Sequence, residues 1–387
     1  MAREIMDYDI AVIGGGIQGA GVAQAAAAAG YKVVIFEQSA IASGTSSKSS
    51  KLIHGGLRYL ESGQFKLVRK TLLERERLIK IAPTLVKPIP FFIPIYTKTT
   101  RQSWQIAIGL FLYQVLGGFK KYTRFKRLNI NKTLPLKALK MTDLTAMYQY
   151  YDAQTDDSLL THAVMRSAES LGAELKCPLK VISLDFKSNT YHISNDATNE
   201  TVTAKFIVNV AGPWVNQILA KVKGTAVSVM ECDLVQGSHI VLDVPSPEGV
   251  VYVEAPQDKR AVFIMPWKNK TLVGTTEKFY TGDPAKVIAS DEEIQYLKEV
   301  YLHYMLAEDV NVVESFAGLR VLPKLETSLF SRPRDTVIHE SAEKLLTLYG
   351  GKLTSYRITA EQVLVEIQKM LPSVKTNQTS TRKIKLF

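Results

Sequence analysis

The sequence predicts an α/β protein, with α+β character in its second half, in which a Rossmann-like domain is interleaved with an antiparallel-sheet domain. The first observation is a βαβ pattern at the start of the chain, where apolar strands at 8–13 and 31–38 flank an alanine-rich helix. The second is a change from about residue 230, where short alternating strands are separated by turn residues. The third is a strand, a glycine turn and a long helix at 345–371.

The first turn of the βαβ pattern carries the motif G-x-G-x-x-G, formed by Gly14, Gly16 and Gly19. It follows a predicted strand and opens a predicted helix that ends at Gly30, and Glu37 stands at the end of the next strand. This is the context of a dinucleotide-binding fingerprint, because glycines let backbone N–H groups approach a pyrophosphate at a helix N-terminus. Glu37 would accept hydrogen bonds from ribose hydroxyls and repel a 2′-phosphate, which disfavours NADP.

The next stretch, "SKSSKLIHGGLRYLESG" (47–63), is basic, glycine-hinged and aromatic. It is either an ordinary loop or the wall of a site for an anion. A charged helix (65–82) and an extended proline-rich passage (83–96) follow, since proline fixes φ and removes a donor. A capped helix at 155–172 then leads to alternating strands and to the apolar strand "FIVNVAG" (206–212).

The second half of the chain reads as an antiparallel sheet, with the strands "DLVQGSHIVLDV", "GVVYVEA", "RAVFIMPW" and "TLVGTTEKF". A helix at 291–306 interrupts it, and a strand at 312–323 leads back to the first domain. We therefore expect a discontinuous cofactor-binding domain formed by residues 1–60, 145–225 and 310–372. A second discontinuous domain, which binds the substrate, would be formed by 61–144 and 226–309. Residues 373–387 would be a loose C-terminal tail.

The net charge of +11 is unevenly spread, because eight Lys or Arg residues and no acidic residue lie between Gly117 and Thr142. This segment is either a solvated basic face or an attachment to anionic lipid, since the apolar run 106–118 could enter a headgroup layer. The run is too short and interrupted to span a bilayer. Nucleic acid would fit the charge, but no RNA or DNA module accompanies it, so we expect no nucleic-acid partner.

The remaining composition is ordinary for a globular protein, with 46% hydrophobic and 22% charged residues in 387. The charged first residues do not form a signal peptide. Cys177 and Cys232 stand far apart and lack metal-ligand spacing. We therefore expect a cytoplasmic protein with reduced thiols and no metal site.

Two later motifs favour FAD over NAD as the dinucleotide. "VNVAGPW" (208–214) is an apolar strand that ends in small residues and a tryptophan, as expected where the chain passes close to an extended cofactor. "LYGGKLTSYR" (348–357) gives a strand, two glycines and a new helix N-terminus. That terminus would stabilise the negative charge at the pyrimidine end of a reduced flavin, and it has little purpose for nicotinamide.

These motifs, together with "KLIHGGLRYLE", "GSHIVL", "GTTEKFYTGDP" and "AGLRVLP", resemble in order and sequence those of FAD-dependent glycerol-3-phosphate dehydrogenases. These enzymes belong to the larger D-amino-acid-oxidase-like flavoprotein family. The resemblance extends over residues 7–370. Gln236 departs from it, because the family usually has a lysine there, and we expect the chain to lack the C-terminal domain that bacterial members carry.

The resemblance implies non-covalent FAD, since no motif for covalent attachment through Cys or His is evident. It also implies the FAD-binding residues: Gly14, Gly16, Ile17, Gly19, Glu37, Gln38, Thr45, Ser46, Ser50, Leu52, His54, Gly55, Val181, Ala211, Gly212, Trp214, Gly318, Gly351, Lys352, Leu353 and Thr354.

By the same resemblance, Arg58 and Tyr59 face the substrate phosphate, with Arg320 and Lys352 converging from later motifs. A phosphate dianion favours a bidentate guanidinium and additional positive charges. The implied reaction is oxidation of sn-glycerol 3-phosphate to dihydroxyacetone phosphate, with hydride passing from C2 to flavin N5. The catalytic residues would be Arg320 and a histidine that takes the hydroxyl proton; His54 and His239 both lie in motifs, and the sequence does not separate them.

Quinone is the expected electron acceptor, reached at the cytoplasmic face of a membrane by peripheral contact, and a homodimer is one option for the assembly. Three alternatives stay open. The chain could be an amino-acid or 2-hydroxy-acid oxidase in which Arg320 binds a carboxylate. It could be an FAD-dependent RNA-modifying protein that uses the basic segment. It could also be an idle flavoprotein, against which Arg58, Arg320 and Lys352 argue.

Overall fold

Two β-sheets organise the computed structural model of this protein, which describes residues 6–132, 135–197, 201–324, 335–372 and 380–387. Its strands are β1 (Met6–Ile13), β2 (Val33–Phe36), β3 (Leu52–Ile53), β4 (Val86–Tyr96), β5 (Lys126–Leu128), β6 (Leu144–Thr155), β7 (Glu174–Lys176), β8 (Val181–Lys187), β9 (Thr190–Asn195), β10 (Val202–Asn209), β11 (Val222–Lys223), β12 (Cys232–Leu242), β13 (Val250–Glu254), β14 (Ala261–Trp267), β15 (Lys270–Gly274), β16 (Lys278–Tyr280), β17 (Val312–Pro323), β18 (Val337–Ala342) and β19 (Leu345–Tyr349). The α-helices of the described residues are α1 (Ile17–Ala28), α2 (Phe65–Ile81), α3 (Ser103–Leu116), α4 (Asp157–Ser170), α5 (Val215–Leu219), α6 (Asp291–Tyr304) and α7 (Tyr356–Met370).

The first sheet has a parallel centre of Rossmann type. β1 pairs in parallel with β2 on one side and β10 on the other, β2 continues to β7, and β19 adds to β10. The antiparallel strands β8, β9 and β18 extend it. Apolar residues fill all four positions of β2 because both faces of a parallel sheet are covered.

The alanine-rich helix α1 is buried between the first sheet and the helices α4 and α7. Small residues allow this close packing. A Cβ on Gly21 would lie 2.8 Å from the ring of Tyr356 at the start of α7. The run of alanines thus allows close contact of α1 with α4 and α7.

The second sheet is mostly antiparallel, in the order β16, β12, β15, β14, β13, β4, β6 and β3, with β17 on β12 and β5 on β6. α6 covers one face of it through Leu297, Val300 and Tyr301. α2 and α3 cover the other face and contribute Leu72 and Tyr113 to the core. The proline-rich passage is the extended strand β4, as predicted.

The sheets divide the chain differently from the boundaries expected from sequence. β6 and β17 lie in the second sheet, whereas the sequence division placed 145–225 and 310–372 in the cofactor-binding domain. The physical reason is long-range pairing: β6 lies antiparallel to β4 along its length, and β17 pairs with β12 from Cys232 to Leu242. Neither partner is visible in the local pattern of the strand itself.

The end of the chain also differs from the expected loose tail at 373–387, of which 373–379 lie outside the described residues. Residues 380–387 pack on the protein. Leu386 is buried in the first core, and its N–H donates to the carbonyl oxygen of Ile81 at 2.8 Å. Thr381 is buried as well and hydrogen bonds to Arg357. Side-chain burial and these bonds hold the segment in place.

Candidate active site

A cavity of about 560 Å³ is lined by residues of both sheets. It extends from the turn between β1 and α1, past the loop at 43–59, to the carboxyl ends of β17 and β19. Ligands of parallel α/β sheets bind at the carboxyl ends of the strands, at the point where the connections from two neighbouring strands run in opposite directions. The position therefore agrees with the dinucleotide-binding turn predicted from the glycine motif.

The glycine turn is shaped by contacts that exclude side chains. Gly14 has φ +119° and donates its N–H to the carbonyl oxygen of Phe36 at 2.8 Å. A Cβ on Gly19 would lie 1.9 Å from the carbonyl oxygen of Gly14. Gly16 precedes α1 without a side-chain cap, so the positive N-terminus of the helix is available to an anionic ligand.

Glu37 lies at the end of β2 on the wall of the cavity. Its carboxylate accepts hydrogen bonds from the N–H groups of Gly15 at 2.7 Å and Ser39 at 2.8 Å. A carboxylate has further acceptor positions, so Glu37 can still receive ribose hydroxyls. The backbone holds the carboxylate in the place where the dinucleotide fingerprint requires it.

The loop at 43–51 is fixed by a buried ion pair that the sequence analysis missed. Lys51 Nζ lies 2.6 Å from Asp157 Oδ1, and both side chains are buried. The N–H of Ser49 donates to the same carboxylate at 2.9 Å. The loop also delivers Ser46, whose hydroxyl accepts from the N–H of Ile17 at 2.9 Å. No local pattern links residues 51 and 157, because they are separated by 106 positions.

Arginine and lysine side chains converge on one part of the cavity. Among the described residues, Arg320 Nη1 is buried without a hydrogen-bond partner, and Nη2 makes a long contact of 3.4 Å to the hydroxyl of Thr275. Burial, with the neighbouring Arg58, lowers the pKa of Arg320 to about 10, so the guanidinium stays charged at neutral pH. The side chain is confined, since a Cβ on Gly237 would lie 2.6 Å from Nη1.

Tyr59 lies between two further positive groups. Lys352 Nζ is 3.7 Å from the centroid of its ring, and the guanidinium carbon of Arg58 is 5.1 Å from the same centroid. Among the described residues, Lys352 Nζ is buried without a hydrogen-bond acceptor apart from the neighbouring Tyr59, and burial lowers the pKa of this lysine. Buried cations without paired acceptors are costly unless an anion joins them. We call Arg58, Tyr59, Arg320 and Lys352 the cation cluster.

His239 lies on β12 with only 1% of its surface exposed. Its Nε2 is 2.9 Å from the hydroxyl of Ser50, and its ring stacks on Phe316 with centroids 5.0 Å apart. Nδ1 is buried without a partner. Burial, together with Arg320 and Lys51, lowers the pKa of His239 to about 3, so this imidazole is neutral at neutral pH.

His54 lines the same cavity, next to Lys352 and Arg58 of the cation cluster. Its backbone N–H donates to the hydroxyl of Thr354 at 3.1 Å, and its ring meets Phe263 edge-on at 6.4 Å. Burial, with Lys352 and Arg58, lowers the pKa of His54 to about 3. Both histidines that lie in sequence motifs are therefore neutral imidazoles on the cavity wall.

Most residues predicted for the site line the cavity. They are Gly14, Gly16, Ile17, Glu37, Gln38, Thr45, Ser46, Ser50, Leu52, His54, Arg58, Tyr59, Val181, Ala211, Gly212, Trp214, His239, Gly318, Arg320, Gly351, Lys352, Leu353 and Thr354. Gly19 and Gly55 do not line it; each lies behind the wall, where a neighbouring atom occupies the position of a Cβ. The sequence analysis missed the lining residues Lys48, Tyr252, Arg260, Phe263 and Thr275.

Gln236, which departs from the family pattern, lies behind this wall. Its amide nitrogen donates to the carbonyl oxygen of Ile288 at 2.9 Å and to Glu293 Oε2 at 2.5 Å. Glu293 is itself buried and accepts a hydrogen bond from Thr276. The glutamine thus completes a buried polar network behind the cavity and adds no charge to it.

Two further properties concern metals and membranes. Among the described residues, no group of three or more His, Cys, Asp or Glu side chains could hold a metal ion. Within the same part of the chain, no helix combines the length and the hydropathy needed to cross a membrane.

The residues present fit FAD. The N-terminus of α1 suits a pyrophosphate, Glu37 suits a ribose, and the closely packed glycine turn leaves the backbone free to approach a ligand. The cavity continues to Arg320 and His239 of the second sheet and to Lys352, which follows β19 of the first. This fold and site define a flavin-dependent oxidoreductase.

The chain belongs to the FAD dependent oxidoreductase family, whose family model matches residues 9–357. It is 38% identical over 377 residues to a glycerol-3-phosphate dehydrogenase of Pseudomonas aeruginosa, with 93% of this chain and 72% of the relative covered. It is 37% identical over 379 residues to a D-erythritol 1-phosphate dehydrogenase of Brucella abortus, with 95% of this chain and 74% of the relative covered.

Among solved structures, the glycerol-3-phosphate dehydrogenase from Bacillus halodurans complexed with FAD has a similar fold. The TM-score is 0.75 at 28% sequence identity, and the comparison covers 98% of this chain and 68% of that one. These findings confirm the predicted family, the fold class and FAD as the cofactor.

Proposed function

We propose that this protein oxidises sn-glycerol 3-phosphate to dihydroxyacetone phosphate and passes the electrons to a quinone. The observation that carries the proposal is the cation cluster. Within the part of the chain that the structure describes, Arg320 Nη1 and Lys352 Nζ are both buried at the cavity that fits FAD, Nη1 without a hydrogen-bond partner and Nζ without an acceptor other than Tyr59. A ligand that satisfies both must bring several acceptor oxygens and negative charge to one place.

A phosphate dianion meets this requirement better than a carboxylate. A guanidinium binds phosphate through two parallel N–H···O bonds, which Arg320 can offer, and an ammonium adds a point charge, which Lys352 can offer. A carboxylate has two oxygens and one charge, so it would leave part of the cluster unsatisfied. The cluster therefore supports a phosphorylated substrate over an amino acid or a 2-hydroxy acid.

Oxidation of a secondary alcohol needs a base for the hydroxyl proton, and we assign this role to His54 or His239. Both are neutral, so each can accept a proton. Their pKa values are lowered in part by neighbouring cations, Lys352 beside His54 and Arg320 beside His239. A bound dianion offsets these charges, so the histidine becomes a stronger base when substrate is present.

FAD would be held by the turn at Gly14 and Gly16, by Glu37, and by the backbone near Ala211 and Gly351. Bound FAD supplies the hydride acceptor for the oxidation. The protein's own residues would bind the phosphate, hold the alcohol near the imidazole and limit access of water, since His239 is buried, as are the atoms Arg320 Nη1 and Lys352 Nζ.

The test is the visible absorption spectrum of the purified protein under anaerobic conditions. Addition of sn-glycerol 3-phosphate is expected to bleach the flavin bands, whereas D-alanine and lactate are expected to leave them unchanged. Bleaching by an amino acid or a 2-hydroxy acid, with no response to glycerol 3-phosphate, would reject the proposal in favour of a sibling oxidase.

A second candidate is oxidation of a longer polyol phosphate. The relative named D-erythritol 1-phosphate dehydrogenase is about as similar to this chain as the one named glycerol-3-phosphate dehydrogenase, at 37% and 38% identity. The cation cluster would bind the phosphate of either substrate. The ratio of kcat/KM for the two phosphates in the same assay decides between them, and we expect glycerol 3-phosphate to be preferred.

For the acceptor, we propose a quinone reached by peripheral contact with the cytoplasmic face of an anionic membrane. α3 exposes large apolar side chains, among them Trp104 at 63% and Phe111 at 54%. The exposed basic residues Lys120, Lys121 and Arg124 follow it directly. Apolar side chains can enter the headgroup layer while the cations meet anionic lipid.

Sedimentation with lipid vesicles tests this contact. The protein is expected to bind vesicles that contain phosphatidylglycerol and to be released by salt, since screening weakens charge attraction. The double variant Trp104→Ser/Phe111→Ser is expected to lose this binding while keeping its flavin and its reduction by substrate. Equal binding of the variant would exclude α3 as the contact.

A further inference from the structure

We propose that Tyr113, Asp152, Arg75 and Thr71 form a positioning cluster that fixes the substrate-binding loop, which we define as residues 54–59. None of the four side chains lines the cavity, so they act through the loop and not by contact with a ligand. The inference rests on the proposed function insofar as the loop carries Arg58 and Tyr59 of the cation cluster.

Both polar groups of Gly55 are held by buried side chains from different helices. Its N–H donates to the hydroxyl of Tyr113 on α3 at 2.8 Å, with Asp152 Oδ1 at 3.4 Å. Its carbonyl oxygen lies 2.8 Å from the hydroxyl of Thr71 on α2, which shares its one proton with the carbonyl oxygens of Leu67 and Val68 in the same helix. There is no space for a side chain, since a Cβ on Gly55 would lie 2.4 Å from the Tyr113 oxygen and 2.6 Å from Leu72. The peptide is therefore fixed in position and in orientation.

The direction of the hydrogen bonds is set by a buried charge. The Tyr113 hydroxyl lies 2.8 and 2.7 Å from the two oxygens of Asp152, so its proton is committed to that carboxylate. Its oxygen is then free to accept the N–H of Gly55. Arg75, with 0% of its surface exposed, pairs with Asp152 and opposes the rise that burial causes in the pKa of this carboxyl group. Arg75, Asp152 and Tyr113 thus form one chain of bonds that ends at the loop.

Fixing Gly55 fixes the residues on both sides of it. The next residue, Gly56, has φ +76°, and a Cβ there would lie 2.3 Å from the ring of Tyr59. That ring in turn supports Lys352 Nζ at 3.7 Å. On the other side, the N–H of His54 donates to Thr354 at 3.1 Å. A shift of the Gly55 peptide would therefore move the ring on which the substrate cations rest.

A buried ion pair is not needed to fill this space. Apolar residues of similar volume often stabilise a core as well as a buried pair does, because charges lose hydration when buried. The hydrogen bond to Asp152, which is itself paired with Arg75, orients the Tyr113 hydroxyl, and through it the N–H of Gly55, which an apolar contact cannot do. The cluster therefore contributes to the geometry of the loop more than to the stability of the core.

The test uses Tyr113→Phe and Thr71→Val, each of which removes one hydroxyl with little change in volume. The dissociation constant for inorganic phosphate is measured from the change it causes in the flavin spectrum, and KM and kcat are measured with glycerol 3-phosphate. Each variant is expected to bind phosphate about ten-fold more weakly, which corresponds to the loss of one buried hydrogen bond. KM is expected to rise by the same factor, with FAD content and kcat retained.

Two controls separate positioning from general damage. Thr71→Ser keeps the hydroxyl and is expected to restore the phosphate affinity. Tyr191→Phe removes another buried hydroxyl, which donates to the carbonyl oxygen of Glu343 at 2.7 Å in the first sheet, and it is expected to leave the phosphate affinity unchanged.

The proposal is overturned if Tyr113→Phe and Thr71→Val bind phosphate as the unsubstituted protein does, or if Tyr191→Phe weakens binding equally. It is also overturned if the unsubstituted protein binds no phosphate. If phosphate binding responds as expected while glycerol 3-phosphate does not reduce the flavin, the positioning cluster stands and the proposed substrate fails.

Discussion

Arg320→Lys separates the binding of substrate phosphate from the binding of FAD. The guanidinium lies in a confined space beside Gly237, and its Nη1 has no hydrogen-bond partner among the residues that the structure describes. The pKa of Arg320 is about 10, so its guanidinium is charged at neutral pH, and the substitution replaces this two-pronged donor with the single ammonium group of lysine. One lost charge-assisted hydrogen bond costs about 1.5–3 kcal/mol, which predicts about ten- to hundred-fold weaker substrate binding.

The assay compares KM for glycerol 3-phosphate, the dissociation constant for inorganic phosphate and the FAD content per chain. The matched control is Arg260→Lys in the same cavity, because Arg260 is already engaged by Glu277 through its carbonyl oxygen at 2.9 Å and through its carboxylate. We expect Arg260→Lys to change the phosphate affinity by less than about three-fold. If Arg320→Lys loses FAD and keeps its phosphate affinity, Arg320 is a structural residue and the assignment of the cation cluster is wrong.

Three further predictions test the cofactor turn, a histidine and the buried ion pair. Gly19→Ala places a Cβ 1.9 Å from a carbonyl oxygen of the glycine turn and is expected to lower the FAD content. The control is Gly109→Ala in α3, where a Cβ meets none of the described atoms within 4 Å, and it is expected to keep the FAD content. Flavin absorbance per chain measures the FAD content of both variants. Burial lowers the pKa of His239 in the folded protein to about 3. As the pH falls below about 6.5, this histidine is therefore protonated in the unfolded chain but stays neutral in the folded protein. Stability should therefore fall by about 1.4 kcal/mol per pH unit from this residue, and urea unfolding at several pH values should show a shallower dependence in His239→Gln. Lys51→Met leaves Asp157 buried without its cation and is expected to lower the free energy of unfolding by about 3–5 kcal/mol, with partial recovery in the double variant Lys51→Met/Asp157→Asn.

The part of the site that is local in sequence could be predicted well. The glycine motif at 14–19 and the carboxylate of Glu37 are set by one βαβ unit, so their spacing predicts their geometry. The same holds for the glycines at 350 and 351, which have positive φ and precede the predicted helix α7. In these places the function depends on the backbone conformation, and a glycine in the sequence indicates this conformation because other residues rarely adopt it.

The contacts that join distant segments could not be read from the sequence. Lys51 and Asp157 form their pair only after the first sheet brings α4 beside the loop. Tyr113 looked like one aromatic residue in an apolar run, yet its hydroxyl holds the substrate-binding loop. Periodicity predicts that such residues are buried, but it does not predict which polar group each will meet.

The sheet that each strand joins could not be read from the sequence for a related reason. β6 and β17 have the alternating or apolar character of many strands, and the sheet that each joins depends on partners far along the chain, β4 and β12.

The sequence also does not distinguish the roles of the two histidines that lie in motifs. The structure places both on the cavity wall as neutral imidazoles, His54 beside Lys352 and His239 beside Arg320.

The choice between the two histidines is open to a direct comparison. The base is expected to lose most of kcat when it is replaced by glutamine, since general-base catalysis contributes about 10²–10⁴-fold. The other histidine is expected to change KM or FAD content instead. Replacement of His54 and His239 one at a time, with kcat, KM and FAD content measured for each, distinguishes the two roles.

The central claim is that buried cations at the FAD site bind a substrate through its phosphate. It is tested most directly by anaerobic reduction of the bound flavin with glycerol 3-phosphate and with glycerol, which differ only in that phosphate. The account predicts full bleaching of the flavin by glycerol 3-phosphate at concentrations at which glycerol has no effect. Equal reduction by both compounds, or reduction by neither, would contradict it.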